Sequence, residues 1–152
     1  MQNSHDYGKL ILEKLLKEAI RQEGTNKGSL YKYNPATEEL ELICCIGFSD
    51  AFCEYFKIVR PFDGSSYGRA FGIGSTVTIN AIETDHAFKP HMKIARSEQF
   101  RAVKSVPVTN SHGKKLGMIS AHFSEAKWNW DSKALESFMP VVANVLEGFF
   151  SF

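Results

Sequence analysis

The side chains able to do chemistry are few and scattered along the chain. Cys44, Cys45 and Cys53 are its only thiols. Cys44 and Cys45 are adjacent within Leu40 to Ile46, a stretch that reads as a strand, so their side chains point to opposite faces and cannot clamp one metal. They read as buried structural cysteines, since a free thiol packs as a small hydrophobe. Cys53 has only Lys57 as a cationic neighbour in sequence, which is weak support for a reactive, redox-sensing thiolate. An odd count with two adjacent members is not a disulfide framework, and a reducing, cytoplasmic setting is the expectation.

Asp85, His86 and His91 fall close together and are ligand types for iron or zinc. A metal centre needs three or four ligands in a fixed frame, and the remaining strong ligands are dispersed. The cluster reads as a solvated loop with packed histidines. His122 is different, because it lies within a strongly apolar run. A polar ring inside a sheet must find a hydrogen-bond partner, so His122 is either a satisfied core histidine or the wall of a pocket. By alternation it shares a face with Ser120, Met118 and Leu116. Arg101 opens the preceding strand and is either a bidentate donor to an anionic ligand or half of a surface ion pair. Phe52, Tyr55, Phe56, Tyr67, Phe71, Phe88 and Phe100 gather in the middle of the chain, as a filled small core or as the lining of an apolar pocket.

The elements that must position these groups follow from periodicity. Ile11, Leu12, Leu15, Leu16, Ala19 and Ile20 predict a helix over about Asn3 to Glu23, with Asn3 or Ser4 as cap and Gly24 as stop. Gly28 to Tyr33 and Leu40 to Ile46 predict two strands around the Asn34–Glu38 turn, expected as an antiparallel meander edge. Ser49 to Phe56 predicts a short helix capped by Ser49, and Lys57 to Arg60 an extended stretch. Pro61 to Gly74 predicts a loop holding one helical turn. Thr76 to Ile79 predicts a strand, and Asn80 to Gln99 weak helix interrupted at Lys89-Pro90. Phe100 to Glu125 predicts a hairpin at the middle of the sheet: Val103, Val106 and Val108 lead into Asn110-Ser111-His112-Gly113, and Leu116 to Phe123 lead out. Its nearly continuous apolar residues suit strands covered on both faces. Leu135, Phe138, Met139, Val142, Val145, Leu146 and Phe149 predict a last helix capped by Asp131 or Ser132, with a kink or break at Pro140. The aromatics of Gly148 to Phe152 are expected to be exposed at an interface.

Length and composition bound the answer. A chain of 152 residues, 43% apolar, suits one domain with a substantial core. Eighteen basic against 17 acidic residues offer no electrostatic case for nucleic acid or an anionic membrane. No apolar run approaches the roughly 20 residues of a membrane span.

Several stretches, in their order, resemble a GAF domain, a small sensor module of signalling proteins. Arg101-Ala102-Val103, Ser105-Val106-Pro107-Val108, Gly113 and Leu116 to Phe123 are similar to the closing half of that family. Asp63-Gly64-Ser65-Ser66-Tyr67-Gly68-Arg69-Ala70 resembles its glycine-rich turn. Val77-Thr78-Ile79 followed by Thr84 to Phe88 resembles the strand and acidic-aromatic step that come next. The resemblance covers nearly the whole chain. It implies one domain over residues 1–152, of α+β class: a three-layer α/β/α sandwich. Its central antiparallel sheet would have five to six strands, with N- and C-terminal helices paired on one face. It also implies a regulatory rather than enzymatic role, a small-molecule or partner pocket on the other face, and a homodimer through the terminal helices. Arg101, His122, Ser120, Tyr67, Phe56, Phe88 and Phe100 are the expected ligand contacts.

Departures from the family's specialised branches matter. No Cys-His pair exists for bilin attachment, and the Asn-Lys-x-x-x-Phe-x-x-x-Asp-Glu signature of the cyclic-nucleotide branch is absent. The cysteine that the methionine-sulfoxide-reducing branch places before the turn glycine corresponds here to Tyr67. The resemblance thus names a module but no cofactor and no ligand. The readings left open are a ligand-binding sensor, a thiol-dependent free methionine sulfoxide reductase, and a ligand-free dimerisation module.

Overall fold

The computed structural model describes residues 2–150. Helix α1 (Gln2–Glu23) buries Leu12, Leu16, Ala19 and Ile20, the stripe that helical spacing puts on one side. It starts at Gln2, so Asn3 and Ser4 lie within the helix rather than at its cap. Strands β1 (Lys27–Asn34) and β2 (Glu39–Ile46) follow, then α2 (Asp50–Tyr55), β3 (Ile58–Val59), α3 (Ser66–Ile73) and β4 (Val77–Ile79). Two short 3-10 turns, Ile82–Thr84 and His86–His91, lead into α4 (Met92–Glu98). Strands β5 (Ala102–Thr109) and β6 (Lys115–Phe123) form the expected hairpin, and α5 (Ala134–Phe149) ends the fold.

All strand pairs are antiparallel, in the order β3-β2-β1-β6-β5-β4. The β5–β6 hairpin is therefore internal, as its double-sided apolarity required. Its turn closes through the Gly113 N–H to the Asn110 carbonyl, with Gly113 at φ 78°. β1 is not at the edge: it pairs with β6 as well as β2, and the edges fall to the short strands β3 and β4. Helices α1 and α5 cover one face, over Leu30, Cys44, Val106, Val108, Ile119, Ala121 and Phe123. The segment from α2 to α4 covers the other, over Tyr31, Leu40, Val103 and Met118. Each fully buried Leu, Ile, Val or Phe side chain contributes roughly 1.5–3 kcal/mol of transfer free energy.

Further local expectations need correction. α3 spans eight residues, longer than one turn, because Ser65 accepts from the Gly68 N–H as a true N-cap and Gly74 stops it in the left-handed region. Pro140 does not break α5: the helix runs through it, with the proline on an exposed face where water can serve the carbonyl that loses its partner. The N-cap position of α5 is Lys133, not Asp131 or Ser132, and it makes no side-chain capping bond. Leu116 joins the helix-side cluster instead of the His122 face, beside an irregularity in register between Val108 and Thr109. At the C-terminus Phe150 is buried against the helix-side core, Phe149 packs partly against it, and Ser151 and Phe152 lie outside the described residues.

One polar group is built into the helix-side layer. Lys104 of β5 is 2% exposed, and its Nζ donates to Glu23 Oε2 at 3.2 Å, Glu136 Oε1 at 2.7 Å and the Ser132 carbonyl at 2.8 Å. Glu23 Oε2 also accepts the Leu135 N–H at 3.0 Å. The end of α1, the start of α5 and the central sheet thus meet on one ammonium group.

Two outcomes follow for chemical denaturation. Lys104→Met leaves the buried Glu23 carboxylate without its cation and is expected to cost about 3–5 kcal/mol, much of it recovered in the Lys104→Met/Glu23→Gln double variant. Gly117→Ala is expected to cost roughly 1–3 kcal/mol by overpacking, because a Cβ there would collide with the Tyr31 carbonyl of β1.

Candidate functional site

The face opposite the terminal helices carries a connected set of polar side chains under aromatic rings. Strand alternation sends Ser120 and His122 of β6, Ser105 of β5 and Ser29 and Tyr31 of β1 to this side. All five are buried. α3 sets Ser66 and Tyr67 against them, because its Ser65 cap fixes where the helix starts.

The hydrogen bonds form two short chains. Ser105 Oγ donates to Ser66 Oγ at 2.9 Å and lies 2.7 Å from Ser120 Oγ. Ser29 Oγ donates to Tyr67 Oη at 2.8 Å, and Tyr67 Oη lies 2.9 Å from His122 Nε2. Tyr31 Oη donates to the Phe56 carbonyl at 2.7 Å. Because Tyr67 already accepts from Ser29, its own proton is available for Nε2, which leaves the histidine proton on Nδ1. That Nδ1 is buried and has no hydrogen-bond partner.

Aromatic rings surround the imidazole. Phe48, Phe52 and Phe100 meet the His122 ring edge-on, with centroids at 4.9, 5.8 and 4.7 Å. Phe48 and Phe52 stack on each other at 3.7 Å. Phe56 packs on Phe52 and Tyr67, and Phe88 on Phe100. Burial dominates the electrostatics. It pushes His122 down to about 3, with a smaller push from Lys27, so the ring is neutral at ordinary pH. It pushes the Tyr31 and Tyr67 phenols far up, so both act only as neutral hydrogen-bonding groups. The cluster around His122 is therefore uncharged, a small hydroxyl network under aromatic rings with one unspent N–H donor.

Six of the seven expected contacts come together: His122, Ser120, Tyr67, Phe56, Phe88 and Phe100. Arg101 stands apart. It is exposed and paired with Glu83 and, at 3.9 Å, with Glu125. With Phe100, Ile82, Met92, Arg96 and Gln99 it lines a surface cleft of about 320 Å³. The loop cluster also separates. Asp85 binds Arg69 at 3.0 Å and accepts the Phe88 N–H, while His91 lies 2.8 Å from both Tyr55 Oη and the Asp63 carbonyl. Among the described residues no group of three ligand side chains is placed to hold a metal ion.

Sequence reading missed Ser29, Ser105 and Phe48 as parts of the site. Ser29 and Ser105 were visible only as polar breaks in apolar strands. Phe48 sits in what reads as a turn after Gly47. The expectation is overturned for Cys45 and Cys53: a disulfide joins Cys45, at the end of β2, to Cys53 of α2. α2 folds back on β2 across Gly47, which spacing along the chain did not reveal. Cys44 alone is free, buried on the helix side, and its thiol is pushed up to about 12 by burial.

No family model matches this chain, and no curated protein does. Solved structures do resemble it. The GAF domain region of a protein from Geobacter sulfurreducens PCA aligns at 14% identity over 97% of this chain and 95% of that one, with a TM-score of 0.75. The type II free methionine-R-sulfoxide reductase of Thermoplasma acidophilum aligns at 15% over 96% of each, with a TM-score of 0.74. The blue-light-absorbing PixJ GAF domain of Thermosynechococcus elongatus aligns at 15% over 97% and 89%, with a TM-score of 0.67. With its six-stranded antiparallel sheet between paired terminal helices and an irregular roof, the chain has the GAF fold.

Proposed function

We propose that this chain is a single-domain signal-transduction sensor module that admits a small molecule between β6 and the α2–α4 roof. The observation that carries this reading is the unpartnered Nδ1–H of His122. A buried donor without a partner costs about 1–3 kcal/mol, and a ligand acceptor atom would return it. The aromatic surroundings favour a ligand with an apolar body. The donor favours a carbonyl, carboxylate or sulfoxide oxygen at one end.

The relay follows from the sheet. Val103 pairs with His122 and Lys104 with Ala121, so neighbouring residues of the same two strands face the roof and the helices. A shift of the sheet at His122 reaches the Lys104 ammonium, where α1 and α5 meet. Tyr7, Leu10 and Ile11 of α1 and Val141 of α5 are exposed and supply apolar surface for pairing with a second copy. No described helix is long and apolar enough to cross a membrane. A cytoplasmic location is part of the proposal.

A second reading draws on the Cys45–Cys53 disulfide and on the reductase among the structural neighbours. In it the chain is a thiol-dependent reductase of free methionine sulfoxide. Turnover of that substrate with a dithiol reductant would replace the sensor reading.

Native mass spectrometry of protein taken from its own cells tests the proposal. A retained small-molecule mass is expected on the wild type and absent from His122→Phe, while a bare chain in both would contradict it. The pH dependence is a second check. The unfolded chain protonates His122 near 6.5, whereas the folded state holds it neutral to about 3. The unfolded state therefore binds more protons between these values, and stability falls as pH drops through that window. The wild type is expected to lose about 1.4 kcal/mol per pH unit below 6.5 relative to His122→Gln, read from urea unfolding at several pH values.

A further inference from the structure

The Cys45–Cys53 disulfide closes a short loop, Ile46 to Phe52, and that loop carries two of the four rings packed on His122: Phe48 and Phe52, the others being Tyr67 and Phe100. We infer that this disulfide is a redox latch on the site: oxidised it holds α2 down over His122, and reduced by a dithiol it lets the Phe48–Phe52 pair lift and admit ligand. The inference rests on reading His122 as the ligand contact.

Three features make the bond a switch instead of a buried staple. Cys45 and Cys53 are both partly exposed, so a reducing thiolate can reach the bond. The bond fastens a short, six-residue helix directly to β2. Ser49 at its start hydrogen-bonds Glu98 through its N–H, at 2.9 Å, and its Oγ, at 2.5 Å. That contact anchors the beginning of α2 to α4, and Tyr55 Oη, 2.8 Å from His91 Nδ1, and the Phe56 carbonyl, which accepts from Tyr31 Oη at 2.7 Å, hold its end; between these anchors Phe52 and Cys53 are tied down by the disulfide and ring packing. Thirdly, the adjacent thiol does not interfere. Cys44 lies on the opposite face of β2, buried, with its ionisation suppressed, so it is a poor nucleophile for shuffling the bond.

The chemistry balances. One thiolate of the dithiol attacks a sulfur of the bridge, the S–S bond breaks, and a mixed disulfide forms. The second thiolate of the dithiol displaces the other cysteine. Two electrons and two protons pass to Cys45 and Cys53, and the dithiol leaves as its own disulfide.

The test uses the intact chain in both states, air-oxidised and dithiothreitol-reduced then desalted without oxygen. Intact mass and thiol counting report the bond, and diethyl pyrocarbonate reports access to His122, located by peptide mass spectrometry. Reduction is expected to raise the carbethoxylation rate of His122 roughly tenfold or more, as local opening of α2 would. Exposed His86 and His112 should react equally in both states. The Cys45→Ser/Cys53→Ser variant should react like the reduced protein and ignore the dithiol. Equal shielding of His122 in both states, or three free thiols in the oxidised preparation, overturns the latch. If His122 stays equally shielded while both forms retain a ligand in native mass spectrometry, the latch falls and the sensor pocket stands. If His122 opens on reduction and neither form retains a ligand, the latch stands and the pocket reading falls.

Discussion

Strand β6 has to satisfy two different faces at once. It lies between β1 and β5, and from Gly117 to His122 it is paired on both sides. Ile119, Ala121 and Phe123 go to the helix side and Met118, Ser120 and His122 to the roof side. On the first side an apolar surface meets apolar helices, and area burial suffices. On the second, a serine and a histidine are buried far from water, and each polar atom must be answered by another protein group or stand as a cost. The two hydrogen-bond chains answer all but one of the atoms on His122 and its neighbours. The exception is Nδ1, and its isolation gives the roof side a chemical direction that the helix side lacks.

The two faces are coupled by the same geometry. A strand cannot slide or tilt for the sake of one face without carrying the side chains of the other. The buried Lys104 cluster makes the helix side sensitive to such movement. Its three hydrogen bonds reach α1 and α5 through Glu23 and Glu136, and ion pairs in a desolvated site depend on good geometry. Glu23 Oε1 is itself buried without a partner, so this junction is already incompletely satisfied. A packed roof on one side and an incompletely satisfied polar joint on the other are the two faces that the proposed relay would couple.

Much of this was legible in the sequence because it rests on local chemistry. The internal hairpin followed from two apolar runs around Asn110 to Gly113. Ser49 could be read as the cap of α2, and its hydroxyl does accept the Phe52 N–H. His122 stood out because a polar ring in an apolar strand requires an answer. What could not be read depends on separations in space. The Cys45–Cys53 bond, the Arg101–Glu83 pair and the meeting of Ser29 with Tyr67 join residues that only the fold brings together. Pro140 was misjudged because its local cost was weighed without the exposed face that tolerates it. Leu116 was assigned to the wrong side because the irregularity beside Thr109 interrupts strict alternation.

The sensor proposal turns on a neutral histidine, ringed by aromatic side chains, whose buried Nδ1 has no hydrogen-bond partner. Nitrogen-15 NMR of the His122 ring reads this directly, since protonated, hydrogen-bonded and free ring nitrogens resonate apart. The account predicts the neutral, Nδ1-protonated tautomer, with Nε2 as the hydrogen-bonded acceptor, persisting down to about pH 5. An imidazolium at that pH, or a proton resident on Nε2, would contradict it.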